Sequence, residues 1–196
     1  MATQARTAAH DVDPLFIERW SPRAFDGGAM PQADLDILFE AARWAPSAFN
    51  YQPWRFLYAH RDTPDWTRFL NLLLPFNQAW VERASVLIYI LSDSQSESPT
   101  GELKPSYSHS FDAGAAWAFL ALQATRLGYH SHAMTGVDFE KARAELKAPD
   151  RFRIEAAVAV GRIGDKGSLP ESLRAREEPS GRHAIAHRVA AGNFAG

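Results

Sequence analysis

Ala45-Pro46-Ser47-Ala48-Phe49-Asn50-Tyr51-Gln52-Pro53-Trp54 is the stretch on which the reading of this chain turns. Two prolines bracket a short loop. Pro46 cannot continue a helix. Upstream, residues 31–45 read as an amphipathic helix: Pro31 suits its first turn, and Leu35, Leu38, Phe39 and Ala42 share one face. Downstream, Trp54–His60 alternates and is aromatic, which predicts a strand. The loop itself carries Ser47, Asn50 and Gln52. Such residues favour turns, but amides also donate and accept hydrogen bonds side by side.

Working outward, Pro14–Trp20 reads as a helix after a small, polar arm over residues 1–13. Residues 64–83 read as helix with a kink or break at Pro75. Ser85–Leu91 is a continuous apolar run of strand length, hence a buried strand. Residues 92–108, rich in Ser, Pro and Gly, predict a long loop of the kind that often forms a lid. Residues 110–127 are apolar almost all round, which predicts a helix buried on every side and ended by Gly128. A core larger than one protomer's would suit that helix, so a dimer is expected. A shorter helix follows from Asp138, then an alternating strand over Arg153–Val160, then a polar tail without helical periodicity. Strands interspersed with helices predict a layered α/β arrangement in one unit over residues 14–196.

The chain has 196 residues and a formal net charge of −2, so its charge balance suggests neither nucleic acid nor a membrane surface as partner. With no cysteine, disulfides, thiol nucleophiles and thiolate-held metals or clusters are excluded. Met1–Asp13 lacks an apolar run, and no stretch approaches the roughly 20 residues of a membrane helix, so a cytoplasmic protein is expected.

Three stretches carry chemistry. Arg19-Trp20-Ser21-Pro22-Arg23 places two guanidiniums and a hydroxyl beside a helix end, which suits a phosphate as well as a solvated basic turn. The 45–54 loop offers amides to a heterocycle edge that alternates donors and acceptors, such as a flavin's pyrimidine. In Met134-Thr135-Gly136 the glycine lets backbone approach a flat ring closely, although a plain turn has the same composition. His130-x-His132 has no evident third metal ligand. Ser106, His109 and Asp112 are too close in sequence to suggest a catalytic triad. Gly161-Arg-Ile-Gly-Asp-Lys-Gly has neither phosphate-loop spacing.

Together, R-x-S-x-R-x-F, A-P-S-x-x-N-x-Q-P-W, the apolar D-x-G-x-A helix, whose buried pattern Asp112, Gly114 and Ala115 fit, and M-x-G strongly resemble the nitroreductase family. The resemblance runs from about Pro14 to Phe194. It implies an α+β fold with a central mixed or antiparallel sheet flanked by helices, and a C-terminal tail exchanged across a homodimer. It implies FMN at the subunit interface, with NADH or NADPH as reductant. By position, Arg19 and Ser21 match residues that hold the FMN phosphate and ribityl chain, with Trp20 between them where relatives often have Arg or His. Arg23 matches a basic residue at the flavin N1/O2 edge. Pro46, Ser47, Ala48 and Asn50 match a loop that contacts flavin from the partner subunit. Asn77 matches an Asn near the pyrimidine ring. Met134, Thr135 and Gly136 match the segment along the reactive N5 side, where some relatives carry an acid in place of Thr135. Arg182, with Ser180 as a weaker choice, matches a tail residue that reaches the phosphate.

The implied reaction is a ping-pong exchange in which flavin N5 takes hydride from the reduced nicotinamide and an oxidised acceptor then stacks in its place. The flavin carries the chemistry, so no catalytic residue is named. The acceptor is a small molecule: a nitroaromatic, a quinone, or an activated alkene or aldehyde. Residues 64–80 and the 92–108 loop are expected to shape its pocket. Two other readings stay open: a reductase dedicated to one small enal or semialdehyde, and an FMN-binding protein without turnover.

Overall fold

The computed structural model describes residues 6–98 and 100–194. Four strands form one antiparallel sheet in the order β1-β2-β6-β5: β1 (Trp54–His60), β2 (Val86–Asp93), β5 (His130–Met134) and β6 (Phe152–Gly161). β1 occupies the residues that alternation predicted. β2 is buried along its whole length, as a continuous apolar run requires. β6 bulges at Glu155, since Ile90 pairs with Ala156 and Leu91 with Ile154.

Because strand side chains alternate, the sheet feeds two cores. Leu87, Tyr89, Leu91, Ala157 and Ala159 pack with Trp66, Phe69, Trp80 and Ala142 of α3 (Pro64–Leu70), α4 (Pro75–Val81) and α6 (Phe139–Glu145). Val86, Ile88, Ile90, Val158 and Val160 pack with Leu35, Leu38, Ala42, Ala116, Leu120 and Ala124 of α2 (Gln32–Arg43) and α5 (His109–Arg126). The result is helix–sheet–helix, an α+β fold.

Local chemistry sets the helix ends. In α1 (Pro14–Glu18) proline takes the first turn and the Asp13 carboxylate accepts from Leu15 N at 2.8 Å. Asp138 caps α6 in the same way, accepting from Lys141 N at 3.1 Å. Pro75 breaks the 64–83 segment into two helices, and Leu73 bridges to Val137 in the gap. α5 ends before Gly128, whose φ of 76° lies in the left-handed region.

Two expectations need correction. α5 is not buried on every side within one chain: Phe111 is 82% exposed, and Ala118 and Phe119 on the same face are also open. The apolar residues that suggested full burial form two faces, and the protomer's own core covers only one. The 92–108 segment is not all loop, because β3 (Gln95–Glu97) pairs with β4 (Leu103–Pro105) in a short hairpin. Its strands are polar and too short to show a period. Beyond the four-residue α7 (Glu171–Arg174), residues 181–194 of the tail are exposed throughout.

Candidate functional site

Residues 19–25 leave α1 and run alongside β5, the edge strand of the sheet. The Arg19 guanidinium donates to Ser21 Oγ at 3.3 Å. The Trp20 ring meets His130 edge-on, with centroids 6.1 Å apart. His132 Nδ1–H donates to the Pro22 carbonyl at 2.9 Å, and since a carbonyl only accepts, this bond sets the His132 tautomer. Burial holds His132 neutral, its pKa pushed down to about 4, and the nearby Arg23 and Arg19 charges push the same way.

Arg23 is fixed from the tail. Glu177 Oε1 accepts from Arg23 N at 2.6 Å and from Ala24 N at 2.8 Å. Glu177 is 6% exposed; its Oε2 has no hydrogen-bond partner and lies 4.0 Å from Arg23 Nη1. The Arg23 guanidinium also stands 6.0 Å from the centre of the Trp80 ring. Trp80 in turn donates from Nε1 to Asn77 Oδ1 at 3.2 Å, and Asn77 Nδ2 donates to the Gly136 carbonyl at 3.1 Å. A Cβ on Gly136 would overlap the Asn77 amide, so this glycine is required by its protein neighbour whatever else approaches it. Thus Arg19, Trp20, Ser21, Arg23, Asn77 and Gly136 meet at one sheet edge.

Met134 and Thr135 complete that edge in different ways. The Met134 side chain belongs to the core packed under α4, so only its backbone is left for a bound group. Thr135 is exposed and lines a separate cavity of about 420 Å³ with Phe139, Arg143 and Glu155.

Arg182 joins Arg19 across a cavity of about 650 Å³ lined by the N-terminal stretch, α1 and residues 181–185. Among the described residues, no aspartate or glutamate lines it. Burial, then the fields of Arg6 and Arg182, lower the Arg19 pKa from its ordinary value. Arg182 Nη1 meanwhile donates only within the tail, to Ser180 and Gly181 oxygens.

Pro46, Ser47, Ala48 and Asn50 are not brought to this edge by their own chain. Their loop feeds β1, on the opposite side of the sheet from β5. It is a 3-10 turn pinned to α5: Ala48 N and Ser108 Oγ both donate to the buried Asp112 Oδ2, at 3.2 and 3.0 Å. Ser47 Oγ accepts from Gln52 N at 3.0 Å. Phe49, Asn50 and Gln52 all have left-handed backbone, with φ of 49°, 58° and 50°, and Phe49 is 90% exposed. Such strain persists only where surroundings hold it, and it turns an aromatic side chain outward.

Some contacts lay outside the sequence reading. Glu177 sits in a polar tail with nothing local to single it out. His109 does not join Ser106 and Asp112. Instead, Ser92 Oγ donates to Glu155 Oε1 and so accepts from His109 Nδ1 at 2.7 Å, while Ser110 Oγ donates to the same Glu155 oxygen at 2.6 Å. Among the described residues, no third His, Cys, Asp or Glu joins His130 and His132 in a metal-holding group.

The sequence profile of the nitroreductase family matches residues 17–162. The chain belongs to this family. A solved structure described as an oxidoreductase containing FMN is 50% identical, superposes with a TM-score of 0.95, and each chain covers all of the other. This nitroreductase-family chain is also 30% identical to an NADH dehydrogenase of Thermus thermophilus, over 80% of its own length and 89% of that protein's. It is 27% identical to a CLA biosynthesis enone reductase of Lactiplantibacillus plantarum, over 80% of its length and 88% of that protein's.

Proposed function

We propose that this nitroreductase-family chain is an FMN-dependent NAD(P)H oxidoreductase that works as a homodimer. The observation that carries the reading is the meeting of Arg19 and Arg182, from opposite ends of the chain, around a cavity that no carboxylate lines among the described residues. Arg19 is partly desolvated and Arg182 stands exposed beside it; two guanidiniums without a counter-charge call for an anion, and a phosphate monoester takes bidentate hydrogen bonds from them. The described residues fit FMN in other respects: next to the cation cleft lie Arg23, the Asn77 amide and the Gly136 backbone.

In this reading Arg19, Ser21 and Arg182 hold the phosphate and ribityl chain. Arg23, steadied by Glu177 and Trp80, supplies positive charge at the ring's N1/O2 edge and favours the reduced cofactor. Asn77 and the Met134–Gly136 backbone bound the ring. When bound, the flavin supplies hydride transfer from NADH or NADPH to an oxidised small molecule in ping-pong fashion. The chain's own task is to bind, orient and exclude water.

The dimer would bring Pro46, Ser47, Ala48 and Asn50 of one protomer to the cleft of the other. Three features support it: the open apolar face of α5, the outward Phe49, and the exposed residues 186–194, which lie beyond the cavity and are free to exchange. Among acceptors, the similarity to an enone reductase favours an activated alkene beside nitroaromatics and quinones. No described helix is long and apolar enough to cross a membrane, and a cytoplasmic setting would supply the reductant.

The test is an absorption spectrum of the purified protein, followed by anaerobic NADH and then NADPH. Bleaching of flavin bands is the expected result. Flavin that persists unreduced points to a non-turnover FMN protein, and no flavin even after added FMN sinks the reading.

A further inference from the structure

Arg6 lies in the stretch ahead of α1. Its Nη1 donates to the Arg19 carbonyl at 3.0 Å, which seats the guanidinium at the start of the Arg-x-Ser-x-Arg segment. It lines the same cavity of about 650 Å³ as Arg19 and Arg182. Burial, then the field of Arg182, lowers the Arg6 pKa, and Arg6 in turn lowers that of Arg19. Among the described residues, no aspartate or glutamate lines the cavity to offset three cations. Asp13, whose carboxylate caps Leu15 N, does not line it. Three guanidiniums lining one cavity repel one another, and an anion held among them offsets that repulsion.

We propose that Arg6 is a third guanidinium of the phosphate site, so that the N-terminal stretch folds over the FMN phosphate and Arg6 binds it together with Arg19 and Arg182. This inference rests on the FMN reading above. It assigns to residues 6–12 a share in cofactor selection: they favour flavins that carry a phosphate over those that do not. Arg23 keeps Glu177 and its place at the ring edge, whereas Arg6 touches only the phosphate end. Losing Arg6 therefore leaves recognition of the ring unchanged.

The experiment uses the full chain, stripped of flavin and titrated by fluorescence quenching with FMN and, separately, with riboflavin, which has the same ring and ribityl chain but no phosphate. Arg6→Gln is expected to weaken FMN binding about tenfold to a hundredfold, the loss of one charge-assisted contact, and to leave riboflavin binding unchanged. Arg6→Lys, which keeps the charge, should recover part of the FMN affinity. Unchanged FMN affinity in Arg6→Gln overturns the proposal, and so does an equal loss for both flavins, since that would mean Arg6 acts through the fold. Wild-type chain that binds no FMN would remove the FMN reading itself, a result distinct from wild-type binding with an indifferent Arg6.

Discussion

Replacing Glu177 by alanine removes a side chain that ties the tail to the 19–24 segment through two backbone N–H groups, those of Arg23 and Ala24 at 2.6 and 2.8 Å. Ala24 is buried, so its N–H would be left without an acceptor. Each bond to a charged acceptor contributes about 1.5–3 kcal/mol. Against this, the carboxylate is itself desolvated and its Oε2 is unpartnered, so deleting it relieves part of that cost. The net expectation is a loss of about 2–4 kcal/mol of stability for Glu177→Ala. Glu177→Gln keeps an oxygen for the two N–H groups and should lose about 1 kcal/mol. The assay is urea unfolding at fixed protomer concentration, because an assembling protein's midpoint depends on that concentration. Glu177→Ala within about 0.5 kcal/mol of wild type would refute the claim that these bonds hold the segment. Equal losses for Ala and Gln would refute the claim that the acceptor, rather than the charge, matters.

His132 gives a pH signature. Its folded pKa of about 4 lies below the unfolded value, so the unfolded state binds a proton first as pH falls. Stability should therefore be fully present above roughly pH 6.5 and decline toward pH 4, by up to about 3 kcal/mol from this group. His132→Gln should flatten that decline in urea midpoints measured from pH 7 to 4.5; an unchanged slope would remove His132 as its source. Gly136→Ala should cost about 1–3 kcal/mol in the same assay, since its Cβ must displace the Asn77 amide; wild-type stability would mean Asn77 moves aside freely. Arg19→Ala should weaken FMN binding about tenfold or more in a fluorescence titration; unchanged affinity would remove Arg19 from the site. Truncation before Ser180 should likewise impair FMN binding, and a fully flavinated truncated chain would show that Arg182 plays no part.

Much of the fold was legible where one local rule dominates. The alternation of Trp54–His60 and the unbroken apolar run of β2 each allow one strand reading. Pro75 ends a helix wherever it stands, because it lacks the N–H and clashes with the preceding turn. The short polar hairpin of β3 and β4 carries no such signal, since neither strand has a buried face to impose a period. The α5 reading failed for a different reason. Apolar residues all round a helix state that they avoid water, but not whose atoms cover them, and within one chain Phe111 and Phe119 are open.

The site divides along the same line. The sequence by itself determined the cationic Arg19–Arg23 stretch, the proline-bracketed loop and the Met-x-Gly segment, because each is a run of neighbours whose chemistry is local. Only the tertiary structure decided that Arg6 and Arg182 share a cavity with Arg19, that Glu177 grips the Arg23 backbone, and that Gly136 must be bare to admit Asn77. It also decided that the 46–50 loop and the cation cleft occupy opposite edges of one sheet. These contacts join residues far apart in the chain. The carboxylate, guanidinium and amide involved are ordinary surface groups in composition, and they acquire a task only when folding removes water from around them and leaves one partner within reach.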